Sequence, residues 1–457
     1  MHDLTSGSIP RHILRLAAPM AIGMVLQTLY YLIDLWFVAK LGDAAVAGVA
    51  SAGTVQFVVM AFTQVLSVGT MVLVSHAAGR KDREDATLVF NQGLGLSLGA
   101  VVVLLLVGYA LIPTYVGTLA ADAAATAAGV TYLRWFLPAL ALQFSLVSIG
   151  AALRGTGVAR PTMVVQAITV LCNAILAPVL IAGWGTGRPL GVAGAGLAST
   201  ISVALGVGLL LGWFRRLETF VRFDRHQLVP RRDVVVRMLR IGVPAGGEFA
   251  IIFIGTGVTY WIIRGFGPEA QAGYGIGSRI MQAFFLPAMA IAFAAAPVAG
   301  QNVGAGRADR AQATFRDAAL MGSALMAALT LLCNFAPASL VRIFTPEPAV
   351  VEVGAEFLRV ISWNFVAQGL VFTCSGIFQA LGNTIPSLVV ASVRLLTFAF
   401  PAVWLSRQPG FTLHRLWLLS TVAAAATAML SFVLVRRALG RATAGRAPGL
   451  AVAAMEG

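Results

Sequence analysis

Twelve long apolar runs dictate what this chain can become. A bilayer core requires about 20 mostly apolar residues for each crossing helix. Runs of that kind occupy 13–39, 45–77, 87–113, 125–153, 161–184, 190–214, 239–264, 271–299, 315–340, 353–381, 386–406 and 412–436. Backbone N–H and C=O groups in lipid have no water to bond, so each run must satisfy them internally, as a helix. Several runs exceed one crossing and are expected to tilt or protrude. Only 11% of the residues are charged, against about 25% in a typical soluble domain, too few to solvate a whole protein surface. The 48 glycines suit close packing of membrane helices. The first run continues past Asp34 with no small-residue cleavage pattern, so it reads as a span and not as a removable leader. The fold class expected is an all-α membrane protein of twelve transmembrane helices.

The net charge of +14 would suit a nucleic-acid binder, but its distribution argues against one. Of the 32 lysines and arginines, 22 lie in segments on the side of the two termini and 8 on the opposite side. Only Arg279 and Arg394 lie within spans. Basic loops mark the cytoplasmic face, so both termini and the segment 215–240 are expected there. Cys172, Cys333 and Cys374 sit inside apolar runs without metal or disulfide spacing, and the five histidines form no cluster. The only lysines, Lys40 and Lys81, do not fit a phosphate-binding GK[ST] loop. No nucleophile or paired-acid motif stands out. The expectation is therefore no enzyme activity, no cofactor and no nucleic acid. Unless a separate ATPase subunit drives it, such a chain must work from an ion gradient.

The chain also matches itself at an offset of 225 residues. Pro19 pairs with Pro244, Trp36 with Trp261, Gly42 with Gly267 and Ala47-Gly48 with Ala272-Gly273. Leu133-Arg134 pairs with Leu358-Arg359, Gly157 with Gly382 and Pro161 with Pro386. The stretch GRKDREDA from Gly79 matches GRADRAQA from Gly306 after a two-residue shift. Each half holds six spans, so the halves share one orientation and are expected to be related by a pseudo-two-fold axis along the membrane normal. The layout read from this is an N-terminal lobe at 1–214, a basic cytoplasmic linker at 215–240, a C-terminal lobe at 241–440 and a cytoplasmic tail at 441–457. Parallel repeats enclosing a cavity are a transporter architecture, with substrate held where the repeats meet.

Of eighteen acidic residues, Asp34 and Glu248 alone lie clearly within apolar runs. A charged side chain at mid-helix costs about 2.5–3.5 kcal/mol on insertion scales, so it faces protein or water and has a task. Gln27, Tyr31 and Asp34 recur at i, i+4 and i+7, one polar stripe on one helix face. Asp34 reads as a carboxylate able to take up and release a proton, or as an interfacial acid tied to a tyrosine hydroxyl. Glu248, four residues after Pro244, reads as a second-lobe coupling or substrate residue, or as a structural carboxylate. Arg394 is its possible counter-charge, since a buried arginine needs a partner.

LQTLYYLIDLWFVAKLGDAAVAGVASAG at 26–53 resembles the first-span and second-span signature of MATE (multidrug and toxic compound extrusion) transporters. LRGTGVARP from Leu153, LGVAGAGLAST from Leu190, PVAGQNVGAGRADRA from Pro297 and FQALGNTIPS from Phe378 resemble further family segments, in order along almost the whole chain. The resemblance implies a two-lobed antiporter, monomeric in the plasma membrane. It would export small organic, cationic or amphipathic molecules against inward H+ or Na+ as the lobes rock. The family's first-span aspartate aligns with Asp34. Asn173 matches its fifth-span asparagine and Thr200 a sixth-span polar residue. With Tyr31 and Gln27 these form the implied cation-coupling set. Ala177 stands where some relatives carry a second acid, which favours protons over sodium. In the second lobe the implied set is Glu248, Arg394 and Gln379. Sodium-linked relatives place acids near Ile251 or Ile252 and near Ser375 or Gln379. Two alternatives stay open. One is a flippase for lipid-linked saccharides, for which two intramembrane arginines make a thin basic cavity; the other is a channel or receptor.

Overall fold

The computed structural model describes residues 1–119, 122–217 and 220–444. Every regular element among them is helical. The long helices are α1 (Ile9–Ala39), α2 (Asp43–Arg80), α3 (Arg83–Leu119), α4 (Ala123–Gly155), α5 (Arg160–Ile181) and α6 (Val192–Leu217), then α7 (Arg232–Ile263), α8 (Pro268–Gly304) and α9 (Ala308–Phe335). A short α10 (Pro337–Arg342) precedes α11 (Pro348–Ile361), α12 (Asn364–Ala380), α13 (Ile385–Ser406) and α14 (Leu413–Thr443). Among the described residues eleven helices are long and apolar enough to cross a membrane, and the count is twelve with α11 and α12, which meet at a bend of 56°, taken as one span. The tail beyond Ala444, with Arg446, and linker residues 218–219 lie outside the described residues.

The 225-residue register is written in the backbone. Helices α2, α3 and α4 start at 43, 83 and 123, and α8, α9 and α11 start at 268, 308 and 348. Helix α5 spans 160–181 and α13 spans 385–406. Gly42 and Gly267 open α2 and α8 with φ of 101° and 96° and the same ψ of 172°, a conformation that side chains with a Cβ rarely adopt. Here the expected two-residue shift is corrected. Lys81 and Gly306 are 225 apart and both left-handed, at φ 62° and 71°. Asp82 N–H bonds Ala77 C=O as Arg307 N–H bonds Asn302 C=O, one closing turn in both halves. The shift improved the letter match while the chain kept its register.

A second departure concerns the tenth span, expected as one helix over 353–381. Its counterpart α4 is continuous in spite of Pro138, whereas α11 and α12 part at Ser362-Trp363 with no proline there. The freed carbonyl must be satisfied, or a break in the membrane would be costly. The Ser362 carbonyl accepts from Phe365 N–H at 3.0 Å and from Thr330 Oγ1 on α9 at 2.8 Å, and Asn334 Nδ2 donates to Ser362 Oγ at 3.0 Å. A backbone turn and polar side chains on a neighbouring helix together hold the bend.

The chain divides into two compact units. One holds Met1–Asp3 and Ala18–Gly246, the other Leu4–Ala17 and the chain from Gly247 onward. In the first unit α4 packs against α2, α3 and α6. Its apolar core runs from Ile112, Tyr132, Phe136 and Phe144 to Ala177 and Val203. A second core stacks Phe90 on Phe214 at 4.1 Å beside Val234 and Met238 of α7. The same unit grips the linker. Gln92 Nε2 donates to the carbonyls of Gln227 and Val229 at 2.5 and 2.7 Å, and its Oε1 accepts from Arg231 N–H at 2.5 Å. Asn91 Nδ2 donates to Arg222 C=O at 2.9 Å.

In the second unit α8 packs against α9, α11 and α12, around Tyr274, Phe357 and Trp417. The segment before α1 belongs here. Leu4 is fully buried. Its N–H donates to Gln301 Oε1 at 3.0 Å, and its carbonyl accepts from Asn302 Nδ2 at 3.2 Å. Arg307 and Arg310 donate to the carbonyls of Thr5 and Gly7 at 2.8 and 3.0 Å. The polar residues of the PVAGQNVGAGRADRA stretch thus act as a clasp on residues 4–7.

Candidate functional site

Asp34 lies one helical turn beyond Tyr30 on α1 and is 8% exposed. Its Oδ2 accepts a hydrogen bond from Tyr132 Oη of α4 at 3.2 Å. Its Oδ1 is buried without a hydrogen-bond partner. Asn173 of α5, fully buried, donates through Nδ2 to Tyr30 Oη at 3.3 Å and to Ser199 Oγ of α6 at 3.4 Å. Its Oδ1 also lacks a partner. Four helices of the first unit therefore bring an acid, an amide, two phenols and a hydroxyl into one buried polar cluster. Tyr132 is fixed by stacking on Phe136 at 4.9 Å. Two buried acceptor oxygens without donors are uncommon in a folded interior and call for a functional account.

The other residues read from the sequence lie as follows. Gln27 Nε2 donates to Tyr31 Oη at 3.4 Å, and Gln56 of α2 donates to the same oxygen. Tyr31 is 39% exposed and forms with these amides a group of its own beside the Asp34 cluster. Thr200 Oγ1 donates to the Trp135 carbonyl at 2.5 Å, so the α6 hydroxyl that meets Asn173 is Ser199. Ala177, at the position of the missing acid, is fully buried.

In the second unit Glu248 is 8% exposed, and its Oε2 accepts from Ser375 Oγ of α12 at 2.8 Å. Ser387 of α13 lies 3.2 Å from Ser375 Oγ. Arg394 donates to Gln368 Oε1. The ion pair expected between Glu248 and Arg394 is not among the salt bridges of the described residues. Both side chains line one cavity of about 290 Å³ within this unit. Gln379 is buried on α12 and is not part of that lining. Tyr30, Tyr132, Ser199, Ser387, Gln368 and Asn364 were not read from the sequence. Among the described residues no group of three His, Cys, Asp or Glu side chains could hold a metal ion.

Comparison with known proteins follows the same division into halves. The family model MatE matches residues 19–179 and again 244–405. The probable multidrug resistance protein YpnP of Bacillus subtilis (strain 168) is 25% identical over 425 residues, 91% of each chain. The probable multidrug resistance protein NorM of Deinococcus radiodurans is 28% identical over 454 residues, 96% of each chain. A MATE protein crystallised in a bent conformation superposes with a TM-score of 0.91 at 23% identity, over 97% of this chain and 98% of its own, a likeness of fold.

Proposed function

The chain belongs to the MatE family of transporters, and from that premise we propose that it is a proton-coupled antiporter exporting small organic molecules. Its relatives' names, probable multidrug resistance proteins, suggest a broad range of cargo. Alternating access by rocking of the two lobes is the working cycle, and the internal repeat supports it. The charge distribution supports termini on the cytoplasmic side of the plasma membrane. A monomer would suffice, since both repeats lie in one chain.

The observation that carries the ion assignment is Asp34. One of its oxygens is held by Tyr132 and the other is buried without a partner. A proton needs a single acceptor. A sodium ion stripped of water needs a shell of oxygens. Here Ala177 offers a methyl group and Thr200 turns to Trp135, so beside Asp34 Oδ1 the other unpartnered oxygen of the cluster is Asn173 Oδ1, too few for a bare ion. Sodium is therefore the less favoured ion.

In the neutral state Asp34 carries its proton on the unpartnered oxygen and fits a dry setting. In the ionised state it draws in water and strengthens the bond from Tyr132. Two states that favour different local packing bias a two-state carrier. Glu248, bonded to Ser375, serves as a second-lobe coupling or substrate residue.

The test is transport in proteoliposomes under separately imposed proton and sodium gradients. Wild-type export should follow the proton gradient, and Asp34→Asn, which keeps shape and removes titration, should abolish it. Export by Asp34→Asn at the wild-type rate would transfer the role to Glu248. Export driven by sodium alone would overturn the ion assignment.

A further inference from the structure

We propose that the cavity of the second unit binds an amphipathic carboxylate, with Arg394 and Gln368 holding its charged end. This rests on the exporter reading and gives the cargo a chemical class. Among the lining residues the ionisable side chains are Glu248, Tyr274 and Arg394. A guanidinium has five N–H donors, and among the described residues the hydrogen bond given for the Arg394 side chain is the one to Gln368 Oε1. No carboxylate pairs with it among the described residues. A half-buried guanidinium without counter-charge among apolar walls is unfavourable, and an anion arriving in the cavity would relieve that cost.

Position along the helices separates the arginine from Glu248. Ser375 and Ser387 face each other across α12 and α13, and so do Gln368 and Arg394. Each step is seven residues, about 10 Å of helix rise. The cavity therefore has two polar tiers, one where Glu248 Oε2 accepts from Ser375 and one where Arg394 donates to Gln368. Near the second tier the wall of α7 is Gly255, whose missing side chain leaves room beside Leu395. Asn364 Oδ1 and Trp417 Nε1, both on lining residues, are buried without hydrogen-bond partners. The first is an acceptor and the second an N–H donor.

The rest of the wall sets the body of the ligand. Phe285, Phe372, Phe398, Met281 and Val371 are apolar and largely aromatic. A planar ring system of two fused rings suits a cavity near 290 Å³. A guanidinium fork binds a carboxylate through two parallel hydrogen bonds, which a lysine cannot reproduce. The guanidinium also belongs to this unit alone, since the repeat partners of Gln368 and Arg394 are Gln143 and Thr169. The cationic cargo read from the family resemblance would instead use Glu248 on the other tier.

Three probes of one shape test this: 2-naphthoate, its methyl ester and 2-naphthylmethylammonium, titrated by calorimetry onto the full chain in lipid nanodiscs. Wild type should bind the naphthoate at least tenfold more tightly than the ester or the ammonium. Arg394→Gln should erase that preference and leave the ester's affinity unchanged. Arg394→Lys should recover part of it. Should Arg394→Gln fail to fold, the wild-type ranking and Arg394→Lys decide the matter. Tighter binding of the ammonium, equal binding of all three, no binding of any, or an unchanged preference in the folded Arg394→Gln would overturn the proposal. Charge-selective binding without gradient-driven transport of naphthoate would sink the exporter reading and leave the site standing. Transport of naphthoate that ignores Arg394 would do the reverse.

Discussion

Replacing Gly48 by alanine should destabilise the first unit, because α2 and α4 meet there backbone to backbone. A Cβ built on Gly48 would lie 2.6 Å from Gly129 N, 2.9 Å from the Ala125 carbonyl oxygen and 3.0 Å from Ala128 Cβ. Ordinary carbon contacts begin near 3.5 Å, so the helices would have to separate by roughly 0.5–1 Å over that turn. Two of the obstructing atoms are backbone and cannot rotate aside. Overpacking of this kind costs about 1–3 kcal/mol. The repeat supplies an internal replicate, since a Cβ on Gly273 would lie 2.8 Å from Val353 Cβ and 3.0 Å from Gly354 N. The same helix supplies the control, because a Cβ on Gly53 meets nothing within 4 Å. There alanine should be neutral or stabilising by up to about 1 kcal/mol through helix propensity. Thermal unfolding in detergent, followed by size-exclusion chromatography after heating, ranks the three variants. Gly48→Ala and Gly273→Ala should both lose monomer at lower temperature than wild type, and Gly53→Ala should not. If Gly48→Ala proves as stable as Gly53→Ala, the close approach of α2 to α4 is wrong.

The bend between α11 and α12 gives a further expectation. Thr330→Val combined with Asn334→Leu removes both bonds from α9 to Ser362 and leaves its carbonyl with the bond from Phe365 N–H; the loss should cost about 1–3 kcal/mol, read as a lower unfolding temperature, and an unchanged temperature would mean the bend holds itself. Gln92→Leu removes three hydrogen bonds to the linker, so limited trypsin should cut after Arg222, Arg225 or Arg231 several times faster than in wild type, and equal rates would count against the clamp. For topology, a cysteine at the exposed position His226 should resist an impermeant maleimide added to intact cells and react once the membrane is opened. Labelling in intact cells would invert the orientation read from the charges.

The sequence made the helices and the repeat legible because both rest on local, periodic facts. Apolar length fixes a span, and Gly42 and Gly267 announce a backbone that only a residue without a Cβ adopts with ease. The break at Ser362 was hidden because its cause is tertiary. No proline or glycine marks it, and the groups that stabilise it lie on α9, about 30 residues earlier. Lys81 in a left-handed turn was equally silent, since lysine gives no hint of positive φ where Gly306 does. In the Asp34 cluster, Asp34 and Asn173 were read from depth and family pattern. Tyr132 and Ser199 come from helices far off in sequence, and only the packed unit brings them near. Neighbours on a helix point about 100° apart, so Ser199 faces Asn173 while Thr200 turns to Trp135. Tyr30 could have been found, because it stands four residues before Asp34, the same spacing that singled out Gln27 and Tyr31.

The clasp on residues 4–7 has a consequence for biosynthesis. Leu4 leaves the ribosome 297 residues ahead of its partner Gln301. At about 5–20 residues per second, that interval is roughly 15–60 s. Throughout it, α1 can already cross the membrane while the segment before it waits at the surface with an apolar side chain and backbone groups unmatched. The second unit cannot be completed by its own stretch of chain. It must capture a piece made before α1, so a segment made early is among the last to settle.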